Sequence, residues 1–213
     1  MSAENTPEKR LKGLYAITDE RLIDEQHFIQ SVEYALQGGC RIIQYRDKSS
    51  KQNKRLQQAH ALRSICNKHQ AILIINDDVE LASAVKADGV HLGKDDRAIQ
   101  TAREQLGSDA IIGISCYNDL TLAIDAEKNS ADYVAFGTMF SSPTKPDAAN
   151  ASPKIIIEAK QRINIPVCAI GGITKENIQQ VTQSGADMAA VISDLFSSKD
   201  IKNTAITLSR HFY

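Results

Sequence analysis

A chain of 213 residues, 42% hydrophobic and 24% charged, has an ordinary globular composition and enough length to bury one sizeable core. Its formal net charge of −1 excludes a global basic field for nucleic acid or an anionic membrane, so any anion site must be local. No run approaches the roughly 18 apolar residues of a membrane span, and MSAENTPEKRLKG at the start has no signal-peptide core, so a cytoplasmic protein is expected.

In chain order, residues 1–12 read as a polar extension and 13–213 as one domain. Strands are predicted at LYAIT (14–18), RIIQYR (41–46), AILIIN (71–76), GVHL (89–92), IIGISC (111–116), YVAFG (133–137), PVCAIGG (166–172) and MAAVIS (188–193). Most are nearly continuous apolar runs, the pattern of parallel strands covered on both faces. Helical patterns lie between them. Phe28, Val32, Ala35 and Leu36 share one face, with Gly38 or Gly39 as a stop. Leu56, Ala59, Leu62, Ile65 and Cys66 form the expected stripe of the long helix over 51–69, and IIIEAKQRI and NIQQVTQSG supply two more helices. Eight β-then-α units of about 27 residues each suit right-handed crossovers closing into a (β/α)8 barrel. A doubly wound open sheet is the alternative, disfavoured because no G-x-G-x-x-G follows the first strand. The stretch SSPTKPDAANAS (141–152) reads either as a surface loop or as a mobile lid. The four cysteines, Cys40, Cys66, Cys116 and Cys168, are far apart and read as reduced, buried thiols; Cys66 and His69 alone do not make a metal site.

In such a barrel the chemistry gathers on loops after the strands' C-terminal ends. Arg46 and Lys48 leave the second strand two residues apart with Gln44, a set suited to phosphate oxygens, or simply a solvated loop. Asp77 and Asp96 follow neighbouring strands and either bind Mg2+ together with substrate phosphates or merely cap the helices behind them. Gly171 and Gly172 with ISD (192–194) mark a phosphate turn or a tight backbone turn. His91 reads more readily as a satisfied interior histidine than as a catalytic base.

QYRDK, IINDDVELASAVKADGVHLGKDD, IIGISCYN, PTKPDA, CAIGGI and AVIS, in that order from about Gly13 to Ser193, resemble the thiamine-phosphate synthase family. The resemblance implies a (β/α)8 barrel that joins hydroxymethylpyrimidine diphosphate to a thiazole phosphate and releases diphosphate. It implies Gln44, Arg46, Lys48, Asn76 and Ser115 around the pyrimidine diphosphate, Asp77 and Asp96 as Mg2+ ligands, and Lys145 reaching the diphosphate. Ser142 and Thr144 would bind the thiazole phosphate, with Gly172, Ile192 and Ser193 at the terminal loops. Where the family often has Thr-x-Thr-Lys, this chain has SPTK, and serine keeps the hydroxyl. The expected chemistry is a dissociative substitution assisted by Mg2+, Arg46, Lys48 and Lys145. The partners are those two small molecules, with no nucleic acid or membrane, and homo-oligomerisation is left open. The rivals are a thiazole phosphate tautomerase on the same scaffold and a non-catalytic protein that binds a phosphorylated ligand.

Overall fold

The computed structural model describes residues 11–93, 96–140 and 151–213, without the side chains of residues 96 and 97. All eight expected strands form: β1 (Gly13–Ile17), β2 (Ile42–Tyr45), β3 (Ile72–Asn76), β4 (Gly89–Leu92), β5 (Ile111–Tyr117), β6 (Tyr133–Phe136), β7 (Val167–Ile170) and β8 (Met188–Val191). Each pairs in parallel with the next, and β8 pairs back onto β1 through Gly13–Met188 to Ala16–Val191, so the sheet closes. Closure settles the choice between barrel and open sheet, and the fold is a (β/α)8 barrel.

The two faces of the strands feed two separate cores, because successive side chains in a strand point to opposite faces. Tyr15, Ile17, Ile42, Ile74, Tyr133 and Met188 pack inside the barrel, where Leu11 joins them. Leu14, Ala16, Ile43, Leu73, Val90 and Val134 face outward into the larger core beneath the helices.

The helices are α1 (Phe28–Gln37), α2 (Gln52–Lys68), α3 (Val79–Val85), α4 (Asp96–Leu106), α5 (Leu120–Lys128), α6 (Pro153–Lys160), α7 (Ile178–Gln183), α8 (Ser193–Phe196) and α9 (Ile201–Ser209). Helix α1 buries the four residues expected of it, Phe28, Val32, Ala35 and Leu36. Helix α2 departs from expectation at one position. Ala59, Leu62 and Cys66 are buried, but Leu56 is 40% exposed. At 3.6 residues per turn Leu56 lies about 90° from the middle of that buried arc, too far round to reach the sheet. Capping follows local chemistry: Asp78, Asp119, Ser152 and Asp200 each accept a hydrogen bond from a backbone N–H at the start of α3, α5, α6 and α9. All four cysteines are buried and unbridged. Among the described residues no helix is long and apolar enough to cross a membrane.

Candidate active site

The C-terminal ends of the strands open into a cavity of about 580 Å3. Of the residues singled out in the sequence, Gln44, Arg46, Asn76, Ser115, Ile192 and Ser193 line it. They come from β2, β3 and β5 and from the segment after β8, so the barrel gathers onto one rim residues that are far apart in sequence. Lys48 and Asp77 stand just beyond the lining and bind each other, Nζ to Oδ2 at 2.5 Å. Gly172 is not among the lining residues, although Ile170, two positions earlier, is. Ser142, Thr144 and Lys145 lie outside the described residues, as does most of the loop expected over 141–152. Asp96 opens α4, with its side chain outside the described set.

The segment Arg46-Asp47-Lys48 divides its charges by side. Asp47 is 8% exposed and turns toward α2, where Lys54 Nζ is 2.9 Å away and the Ser49 backbone N–H donates to it at 2.7 Å. Anchoring the middle residue inward leaves its two neighbours on the cavity side. Each cation there stands near a carboxylate, Arg46 sharing Asp19 with Arg21. The Arg46 guanidinium is 3.6 Å from Asp19 Oδ2, and Lys48 is paired with Asp77. Carboxylates, not only an anionic ligand, therefore relieve the repulsion between Arg46 and Lys48. Thr18 fixes the Arg46 backbone, accepting from its N–H at 2.9 Å and donating to its carbonyl at 3.2 Å.

Asp19 and Arg21, just past β1, also line the cavity. Arg21 Nε and Nη2 donate to the two Asp19 oxygens at 3.0 and 2.7 Å, a fork-on-carboxylate pair. These bonds hold the Asp19 carboxyl below the usual carboxylate range, against the opposing effect of burial. Neither residue stands out in sequence, because TDER reads as an ordinary polar loop.

Asp77 is not a helix cap. Asp78 takes that role, accepting from the Leu81 N–H at 2.8 Å, while Asp77 holds a left-handed backbone at φ +62°. Its carboxylate is 54% exposed at the rim and accepts from Asn76 Nδ2 at 2.8 Å. Among the described residues no group of three or more His, Cys, Asp or Glu side chains is arranged to hold a metal. An exposed aspartate carboxylate at the rim of the cavity does fit Mg2+, which takes one or two protein carboxylates and completes its shell with water and substrate phosphates.

The floor of the cavity is polar and largely buried. His91 is 9% exposed, with Nδ1 2.9 Å from the Tyr133 hydroxyl and Nε2 2.8 Å from Ser115 Oγ. Burial pulls its pKa down to about 4, so the imidazole is neutral and both ring nitrogens are engaged. Tyr15 and Tyr133 complete the floor, and neither is conspicuous in sequence. The available signal was Gly113 in the middle of β5. A Cβ there would stand 2.0 Å from Tyr133 Cζ, so the strand gives up a side chain where the ring of the neighbouring strand crosses it.

After β7, Gly171 and Gly172 adopt φ +100° and +63°. A Cβ at either would stand 2.5 Å from Thr138 Cγ2 or 2.6 Å from the Phe140 carbonyl. The close approach of the segment after β6 is thus sufficient reason for glycine at both.

A family model described as thiamine monophosphate synthase matches residues 14–195. The thiamine-phosphate synthase of Nitrosococcus oceani is 52% identical over 202 residues, 95% of this chain and 93% of that protein. The thiamine-phosphate synthase of Thioalkalivibrio sulfidiphilus is 47% identical, covering 96% and 97%. Among solved structures, thiamine phosphate pyrophosphorylase from Pyrococcus furiosus has a TM-score of 0.86 at 36% identity, with 97% of each chain covered. A match through all eight strands, with relatives about half identical along nearly their full length, means that the chain belongs to the thiamine monophosphate synthase family.

Proposed function

We propose that this chain is a transferase that couples 4-amino-5-hydroxymethyl-2-methylpyrimidine diphosphate with a thiazole phosphate, forming thiamine phosphate and diphosphate. The observation that carries the reading is the gathering of Gln44, Arg46, Asn76 and Ser115 around one cavity, with Lys48 and Asp77 at its edge, in a chain of this family.

The bond between the pyrimidine methylene carbon and the diphosphate oxygen breaks, and its electron pair leaves with diphosphate. The aminopyrimidine ring supports the cation left behind, and the thiazole nitrogen lone pair closes the new C–N bond. Arg46 and Lys48 bind the departing anion, and in doing so exchange their carboxylate partners for phosphate oxygens. Lys145 joins them in this reading. Gln44, Asn76 and Ser115 orient the pyrimidine, whereas Ser142, Thr144, Gly172, Ile192 and Ser193 receive the thiazole phosphate. Mg2+, when bound, neutralises part of the leaving charge, and Asp77 and Asp96 are the residues proposed to hold it. No residue needs to act as general base, which agrees with a neutral His91 whose two nitrogens are already hydrogen-bonded.

The test is to incubate the two substrates with Mg2+, with and without EDTA. Thiamine phosphate and diphosphate are expected in equal amounts, and EDTA is expected to abolish both. Isomerised thiazole phosphate without coupling, or no turnover at all, would contradict the reading.

A further inference from the structure

Four hydrogen bonds cross the cavity floor without a gap. Gln44 Nε2 donates to the Tyr15 hydroxyl at 2.8 Å, and the Tyr15 and Tyr133 hydroxyls are 2.9 Å apart. Tyr133 meets His91 Nδ1 at 2.9 Å, and His91 Nε2 meets Ser115 Oγ at 2.8 Å. Gln44, Tyr15 and Tyr133 are each no more than 3% exposed, so water does not complete these bonds. The chain joins two residues, Gln44 and Ser115, that both line the cavity.

The direction of one bond fixes the rest. Each tyrosine has one proton, and a neutral imidazole has one N–H and one lone pair. Tyr15 accepts from Gln44, and its hydroxyl is buried with Tyr133 as its other hydrogen-bond partner, so satisfying its own proton sends that proton to Tyr133. Tyr133 then donates to His91 Nδ1, and His91 carries its proton on Nε2 and donates to Ser115. With Gln44 donating, a reversal at the Tyr15–Tyr133 link would leave the buried Tyr15 proton without an acceptor, which costs the full loss of a hydrogen bond. At the ends, Ser115 keeps a proton to donate into the cavity and Gln44 keeps Oε1 to accept.

We propose that Tyr15, Tyr133 and His91 are positioning residues that lock Ser115 as a donor and Gln44 as an acceptor, and so select an aminopyrimidine over its oxo counterpart. An aminopyrimidine offers a ring nitrogen to accept and an amino group to donate, which matches this polarity. The oxo compound offers a carbonyl and a ring N–H in the opposite order, and binds only if all four links and the Gln44 amide reverse together. This rests on the proposed function in taking the pyrimidine to be the occupant of the cavity.

Two readouts test it on the full-length protein. In 15N spectra of histidine-labelled protein, with the His91 signals assigned by their loss in His91→Asn, the wild type shows the Nε2–H tautomer, and Tyr133→Phe shows a mixture. In calorimetric titrations with the amino and oxo pyrimidine diphosphates, without the thiazole phosphate, the wild type prefers the amino compound by roughly tenfold or more. Tyr133→Phe reduces that preference to a few-fold. Tyr15→Phe, cut nearer Gln44, loses the preference but keeps the Nε2–H tautomer, and it serves if Tyr133→Phe does not fold. A protein that fails to make thiamine phosphate but keeps the wild-type tautomer and preference overturns the proposed reaction and supports the relay. An Nδ1–H tautomer in the wild type overturns the relay, as does an undiminished preference in the Phe variants.

Discussion

The Arg46 guanidinium stands 3.6 Å from Asp19, while Thr18 binds its backbone N–H and carbonyl, so its place at the cavity is set by the segment after β1 as much as by the strand it follows. Replacing it with alanine removes one cation from the leaving diphosphate. Arg46→Ala is expected to lower kcat/KM roughly 10²- to 10³-fold, the equivalent of about 2–4 kcal/mol, as for loss of a single preorganised electrostatic donor. Steady-state kinetics with both substrates check this, and a change of only a few-fold would remove Arg46 from the site. His91 makes a prediction about pH. Its ordinary pKa of 6.5 falls to about 4 in the folded chain, so between these values the unfolded chain binds the extra proton. The stability it contributes is complete above pH 6.5 and is lost as pH falls towards 4, about 3 kcal/mol in all. Urea unfolding at pH 7 and pH 4.5 should therefore show a steeper decline for the wild type than for His91→Gln.

At the scale of elements, β5 and β6 are fitted to each other through Gly113 and Tyr133. An alanine Cβ at Gly113 would stand 2.4 Å from the Tyr133 hydroxyl, so the ring must leave its place between Tyr15 and His91. Gly113→Ala is expected to cost about 1–3 kcal/mol by overpacking, seen as a thermal midpoint lowered by several degrees. An unchanged midpoint would mean that β6 yields at no cost. The loop after β2 shows the same dependence between elements, since Asp47 reaches Lys54 on α2 and thereby fixes which way Arg46 and Lys48 face.

Across the whole molecule, what was legible in sequence is what depends on local pattern. Continuous apolar runs marked the strands, and the rule that barrel chemistry follows the strand ends picked out Gln44, Arg46, Asn76 and Ser115 correctly as neighbours of one cavity. Contacts that exist only once the sheet closes were not legible. Tyr15 and Tyr133 are 118 positions apart and meet because β1 and β6 face each other across the interior. Asp19 and Arg21 were hidden in a loop with no apolar period, and Leu56 was misassigned because its turn of α2 carries it off the buried arc. The central claim is that one rim grips the diphosphate of a pyrimidine lying on the polar floor. A crystal structure with the pyrimidine diphosphate and Mg2+ tests it most directly. The account predicts the ring against Gln44 and Ser115, the diphosphate against Arg46 and Lys48, and the metal on Asp77; a diphosphate bound away from Arg46 and Lys48 would contradict it.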